Sequence, residues 1–167
     1  MTMRKQVCYK AWSKAETAKE IVATSPTSKW IIFTMFIDLA TKLCEQIPSS
    51  KVYHSKQKDE DRVSILESYE KNEFNILIAV KALDAGMNIP DIDKAISISG
   101  TSPELTARQR LGRIARKKDA PSTFINLFSK NTVDKDWLEK RNKGLDGVEW
   151  ITLNSLKTKL RNGNRSR

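Results

Sequence analysis

The stretch KWIIFTMFIDLATKLCEQIP, Lys29 to Pro48, holds two hydrophobic patterns of different period side by side. Lys29–Met35 is a short continuous apolar run with β-branched and aromatic side chains, which suits a strand covered on both faces. From Phe36 the apolar positions become Phe36, Leu39, Ala40, Leu43 and Ile47, a helical spacing that Pro48 stops. A buried strand that runs straight into an amphipathic helix is the start of a β-α-β unit.

The same alternation continues along the chain. KVYH (51–54) is a short strand, and KDEDRVSILESYEKNEF (58–74) is a helix with Val63, Leu66 and Tyr69 or Glu70 on successive turns. NILIAV (75–80) and KAISIS (94–99) are further core strands, separated by the irregular KALDAGMNIPDID (81–93) with room for a single helical turn. Ser102 and Pro103 look like a cap and first-turn proline opening the helix PELTARQRLGRIAR. STFINLF (122–128) is a last strand and TVDKDWLEKRN (132–142) a closing helix. Upstream, SKAETAKEIVAT (13–24) is helical, capped by Ser13 with Glu16 at the third helical position, and SPTS breaks it. Alternating strands and helices predict one three-layer α/β/α domain with a mainly parallel sheet, and ligands at the carboxyl ends of its strands. The expected division is a helical lead-in over 1–28, the domain over 29–150, and a basic, flexible tail over 151–167.

Composition narrows the class. The chain has 167 residues, 39% hydrophobic and 30% charged, which is globular rather than disordered. No apolar run is long enough to cross a bilayer, and the N-terminus has no apolar leader. Cys8 and Cys44 lie far apart and form neither a metal cluster nor a disulfide framework. An intracellular protein is expected, cytoplasmic in a prokaryote or phage host and nuclear in a eukaryote. The 30 Lys and Arg against 20 Asp and Glu, a formal charge of +10, favour a polyanionic partner, nucleic acid first. There is no G-x-x-x-x-G-K-[ST] phosphate loop, no G-x-G-x-x-G fingerprint, and the single histidine, His54, reads as a strand end rather than a catalyst.

The chemistry concentrates in ARQRLGRIARKK (107–118). On a helix, Gln109, Arg113 and Arg116 fall at i, i+4 and i+7, so one face carries an amide and two guanidinium forks suited to phosphate. Gly112 costs about 1 kcal/mol against alanine inside a helix and implies a close approach. Arg110 falls off that face and suits a structural tie. A solvated basic helix is the alternative on charge alone.

QRLGRIAR resembles motif VI, Q-R-x-G-R-x-x-R, of superfamily 2 helicases and translocases. IAVKALDAGMNIPDIDKAI resembles their motif V, WIIFTMFIDLATKL their motif IV, and VYHSKQKDEDRVSILESYEKNEFNILIA the segment between. Order and spacing are those of the second, C-terminal RecA-like domain, over about Lys29 to Phe128. Glutamine at the head of motif VI is more like the DNA repair, recombination and replication-restart branches than the DEAD-box RNA helicases. The resemblance implies a role for each matching residue. Arg116 is the arginine finger, Arg113 a second phosphate contact, and Gln109 a sensor of the γ-phosphate or its attacking water. Gly86 lies near the nucleotide, and Asn88 stands where an aspartate usually meets the ribose. Thr34, Ser55, Lys56 and Lys81 line a nucleic-acid track, with Val80 and Lys81 replacing a usual threonine; for Ser55 and Lys56 an ordinary polar turn reads equally well. ATP with Mg²⁺ is the implied cofactor, bound mainly by a first RecA-like domain of the same protein, and no metal site is implied on this chain. Single-stranded or forked DNA is the implied substrate, with RNA as the other option. The chain is then expected to be a fragment, inactive alone; the competing reading is a stand-alone nucleic-acid-binding or regulatory half-motor.

Overall fold

The computed structural model describes residues 12–80, 92–99, 123–143 and 147–165. In chain order the elements are α1 (Trp12–Val22), β1 (Trp30–Thr34), α2 (Ile37–Gln46), β2 (Ser50–His54), α3 (Asp59–Glu70), β3 (Ile76–Val80), β4 (Lys94–Ser97), β5 (Thr123–Asn126), α4 (Val133–Asn142) and α5 (Leu153–Arg165). The strands form one five-stranded sheet in the order β2-β3-β1-β4-β5. Every pairing is parallel. Helices cover both faces, which gives the three-layer α/β architecture the alternating pattern implies.

Strand alternation explains how the two faces are filled. Trp30 and Ile32 of β1, with Ile76, Ile78 and Val80 of β3, pack into one cluster with α1, α2 and Leu160 of α5. Ile31 and Phe33, with Leu77 and Ala79, point the other way and meet Tyr69 of α3, with Leu66 of that helix packed alongside. β1 and β3 are buried at every position, as expected for parallel strands covered on both sides.

The core extends past the boundaries expected from the sequence. Ala15, Ala18 and Ile21 of α1 are fully buried, so residues 12–22 are a layer of the domain and not a lead-in to it. The expected flexible tail is corrected in the same way. Leu153, Leu156 and Leu160 fall on one face of α5 and pack on the α1 side of the sheet. Lys157 pairs with Glu20 of α1. The run of basic residues hides this stripe from a reading by composition, because long cationic side chains on the outer face dilute its apolar signal.

Two buried aromatics lock α3 and the loop after α1 to the central strand. Tyr69 donates from its hydroxyl to the Trp30 carbonyl at 2.8 Å, and Trp30 donates from Nε1 to the Ser25 carbonyl at 3.0 Å. Burial, reinforced by Asp93, pushes the Tyr69 phenol above its ordinary pKa. A phenol ionises near 10 in an unfolded chain. With the folded value higher, Tyr69 supports the fold fully below that pH and loses its contribution as pH rises through the alkaline range. Replacing it by phenylalanine is expected to lower stability by about 1 kcal/mol at neutral pH. It should also flatten the loss of stability above roughly pH 10, a change read by denaturant titrations across pH.

Candidate functional site

The carboxyl edge of the sheet is where the described residues converge. Thr34, His54 and Val80 lie level in the register of β1, β2 and β3. β1 is the switch strand, with β3 on one side and β4 on the other. In such sheets the crevice at the switch point is the usual ligand site. The exits of β1 and β4 are joined directly. The Met35 N–H donates to Ser99 Oγ at 2.8 Å, and the Ile98 N–H donates to the Phe33 carbonyl at 3.0 Å. Ser99 carries no sequence signal for this role.

Of the residues singled out in the sequence, Gln109, Arg113, Arg116, Gly86, Asn88 and Lys81 lie outside the described residues. What the structure places is the attachment of their segments. Residues 81–91 come directly after Val80 at the end of β3, and residues 100–122 come after Ser99 just past β4. These points flank Thr34.

Thr34 itself is 3% exposed, and its hydroxyl accepts from the Phe36 N–H at 3.4 Å. It shapes the turn into α2 from a buried position at the carboxyl end of β1. Ser55 and Lys56 are exposed. Their turn is braced by Gln57, a residue that no motif marks. The Gln57 side chain accepts from the His54 N–H at 2.8 Å and donates to the Val52 carbonyl at 3.0 Å. The Gln57 N–H also donates to the His54 carbonyl at 3.2 Å. His54 ends β2. Behind the turn, Arg62 of α3 donates to Asp59 at 2.5 Å. That hydrogen bond raises the Arg62 pKa further.

Among the described residues no three His, Cys, Asp or Glu side chains gather as a metal site.

A parallel sheet of this order, covered by helices on both faces, defines an open α/β domain with its ligand crevice expected at the carboxyl edge. Residues 13–118 match the family described as Helicase conserved C-terminal domain, and the chain belongs to that family. It is a superfamily 2, RecA-like C-terminal domain. The chain is 33% identical over 122 residues to the DNA 3'-5' translocase XPB2 of Sulfurisphaera tokodaii, covering 73% of this chain and 28% of that protein. It is 21% identical over 145 residues to the DNA 3'-5' helicase XPB of Mycobacterium tuberculosis, covering 85% of this chain and 26% of the relative. The chain thus spans about a quarter of the length of these relatives. The solved Hef helicase domain of Pyrococcus furiosus superposes with a TM-score of 0.61 at 24% identity, over 76% of this chain and 28% of that one. The C-terminal domain of the DEAD-box protein Dbp5 gives 0.73 at 17% identity over 93% of both. At such identities these two structures speak for the fold.

Proposed function

We propose that this chain is the C-terminal motor domain of an ATP-dependent DNA helicase or translocase. In this reading it supplies the arginine groups that complete a nucleotide site built mainly on a preceding RecA-like domain. The single observation that carries the reading is the shared attachment edge. Both segments that bear the motif V and motif VI residues leave the sheet on either side of β1, at its carboxyl end. The relatives named as DNA translocases and helicases favour DNA over RNA as the substrate.

Within this reading Arg116 and Arg113 hold charge that develops on the transferred phosphoryl group, and Gln109 senses the γ-phosphate or its attacking water. Gly86 leaves room for the nucleotide. Asn88 reaches the ribose by neutral hydrogen bonds, a weaker contact than an aspartate would make. Ser55 and Lys56, on their braced turn, and Lys81 grip phosphates of one strand without reading sequence. Domain closure with ATP and reopening after hydrolysis then move the pair along that strand, in repair, recombination or replication.

The 167-residue chain alone is expected to show no nucleic-acid-stimulated ATP hydrolysis above a buffer blank, in a phosphate-release assay with single-stranded DNA, forked DNA and RNA as stimulants. Appreciable turnover would overturn the division of labour between two domains. A second reading, a binding or regulatory half-motor, draws on Asn88 and on Val80, which is 3% exposed and offers no hydroxyl to a strand. The coding sequence upstream decides between them: the motor reading requires G-x-x-x-x-G-K-[ST] followed by an acidic box.

A further inference from the structure

β2 stands at the edge of the sheet, with β3 as its neighbour on one side. Backbone groups on the outer side of an edge strand lack a ladder partner, so other groups must satisfy them. Gln57 does this from the turn that follows β2. Its Oε1 accepts from the His54 N–H at 2.8 Å, and its Nε2 donates to the Val52 carbonyl at 3.0 Å. Its own N–H donates to the His54 carbonyl at 3.2 Å. One half-buried residue thus makes three bonds to the end of the strand.

What these bonds enclose is Ser55 and Lys56, both exposed, between His54 and Gln57. The backbone bond from Gln57 to His54 is enough to close a four-residue turn. The two side-chain bonds go further and fix how the turn is oriented on the strand. His54 lies level with Thr34 and Val80, so the turn rises from the carboxyl edge where β1 and β3 also end. Orientation matters there for an exposed cation that has to meet a phosphate. A turn ordered in advance escapes the cost of being ordered on its ligand, roughly 2- to 10-fold in affinity for each side chain immobilised.

We propose that Gln57 is a positioning residue for single-stranded DNA, holding the Ser55–Lys56 turn in the conformation that meets a phosphate. The proposal rests on the motor reading above, which puts Ser55 and Lys56 in the track. Its test uses the full-length protein that carries this chain and a fluorescent oligothymidylate. Anisotropy is read at one fixed salt concentration, because phosphate contacts are salt-dependent. Gln57→Met keeps the length of the side chain and removes both of its hydrogen bonds. It is measured in the wild-type background and again beside Ser55→Ala/Lys56→Ala. Gln57→Met alone is expected to weaken binding about 5-fold, to unfold within a few degrees of wild type and to keep ADP affinity within about twofold. With Ser55→Ala/Lys56→Ala already present, the same substitution should cost less than about twofold, because the groups it positions are gone. Unchanged affinity in Gln57→Met overturns the proposal. An equal loss in both backgrounds also overturns it, since Gln57 would then act independently of the turn. If Gln57→Met does not fold, Gln57→Ala is read by the same two comparisons. Wild-type DNA affinity in Ser55→Ala/Lys56→Ala itself would remove the turn from the track, a separate failure of the underlying reading that takes the proposal with it.

Discussion

Arg116→Ala in the full-length protein is expected to lower kcat for ATP hydrolysis on the order of 10³-fold, while KM for ATP moves only a few-fold. The size reflects where the charge is needed. A guanidinium fixed beside a phosphoryl group in a water-poor cleft acts mainly on charge that appears in the transition state, so its loss falls on turnover more than on binding. Lysine should rescue little, because a point charge does not reproduce the planar fork. Arg113→Ala should reduce turnover in the same direction. Steady-state hydrolysis with saturating single-stranded DNA checks all three variants. Turnover within about threefold of wild type for Arg116→Ala would remove the residue from the finger role, given the usual size of that effect.

Trp30→Ala should have the largest effect on the fold itself. Trp30 begins the central strand, is fully buried, and sits between the helices of one face while its carbonyl receives the Tyr69 hydroxyl. Truncation removes the indole's apolar burial, opens a cavity in a layer that rigid strands cannot collapse, and deletes the Nε1 donor to Ser25. The cost is about 4 kcal/mol. For a domain of this size that is a fall in Tm of roughly 10 °C. Trp30→Phe keeps much of the volume and loses the indole donor, so it should cost about 1–2 kcal/mol. Calorimetry of the isolated chain distinguishes the two, and an alanine variant that melts with the wild type would show that the β1 layer is not the centre of the core.

Trp30 also illustrates how much of the molecule its sequence reveals. The change from continuous apolar runs to helical spacing identifies β1 with α2, α3, β3 and β4, because burial on two faces and burial on one leave different periods. Strand order is not legible. NILIAV and KAISIS both read as core strands, and nothing in their composition shows that they flank β1 on opposite sides. α5 is hidden because Lys157, Lys159 and Arg161 dominate its composition, although its leucines keep helical spacing.

The site is legible to a different degree. Helical spacing puts Gln109, Arg113 and Arg116 on one face, the family resemblance supplies their expected roles, and the structure contributes the edge from which their segment departs. Thr34 fits the family pattern in sequence, and the structure adds that it is buried at the end of β1. Lys14 and Asp134 lie far apart in the chain and carry no motif that would pair them. Only the packing of α1 against the exits of β4 and β5 brings them together. Gln57 and Ser99 are silent for the same reason, since their roles are bonds to backbone groups brought near by the fold.

The arginine row is proposed to serve a nucleotide site completed only with a second domain. The most direct measurement is a fluorescence titration of an N-methylanthraniloyl ATP with three samples: this chain alone, the full-length protein, and its Arg113→Ala/Arg116→Ala variant. No saturable binding is expected for the isolated chain at micromolar concentrations, against clear saturation for the full-length protein. The variant should bind the ATP analogue more weakly while keeping its affinity for ADP. Saturable micromolar binding to the chain alone, or a variant indistinguishable from wild type, would contradict it.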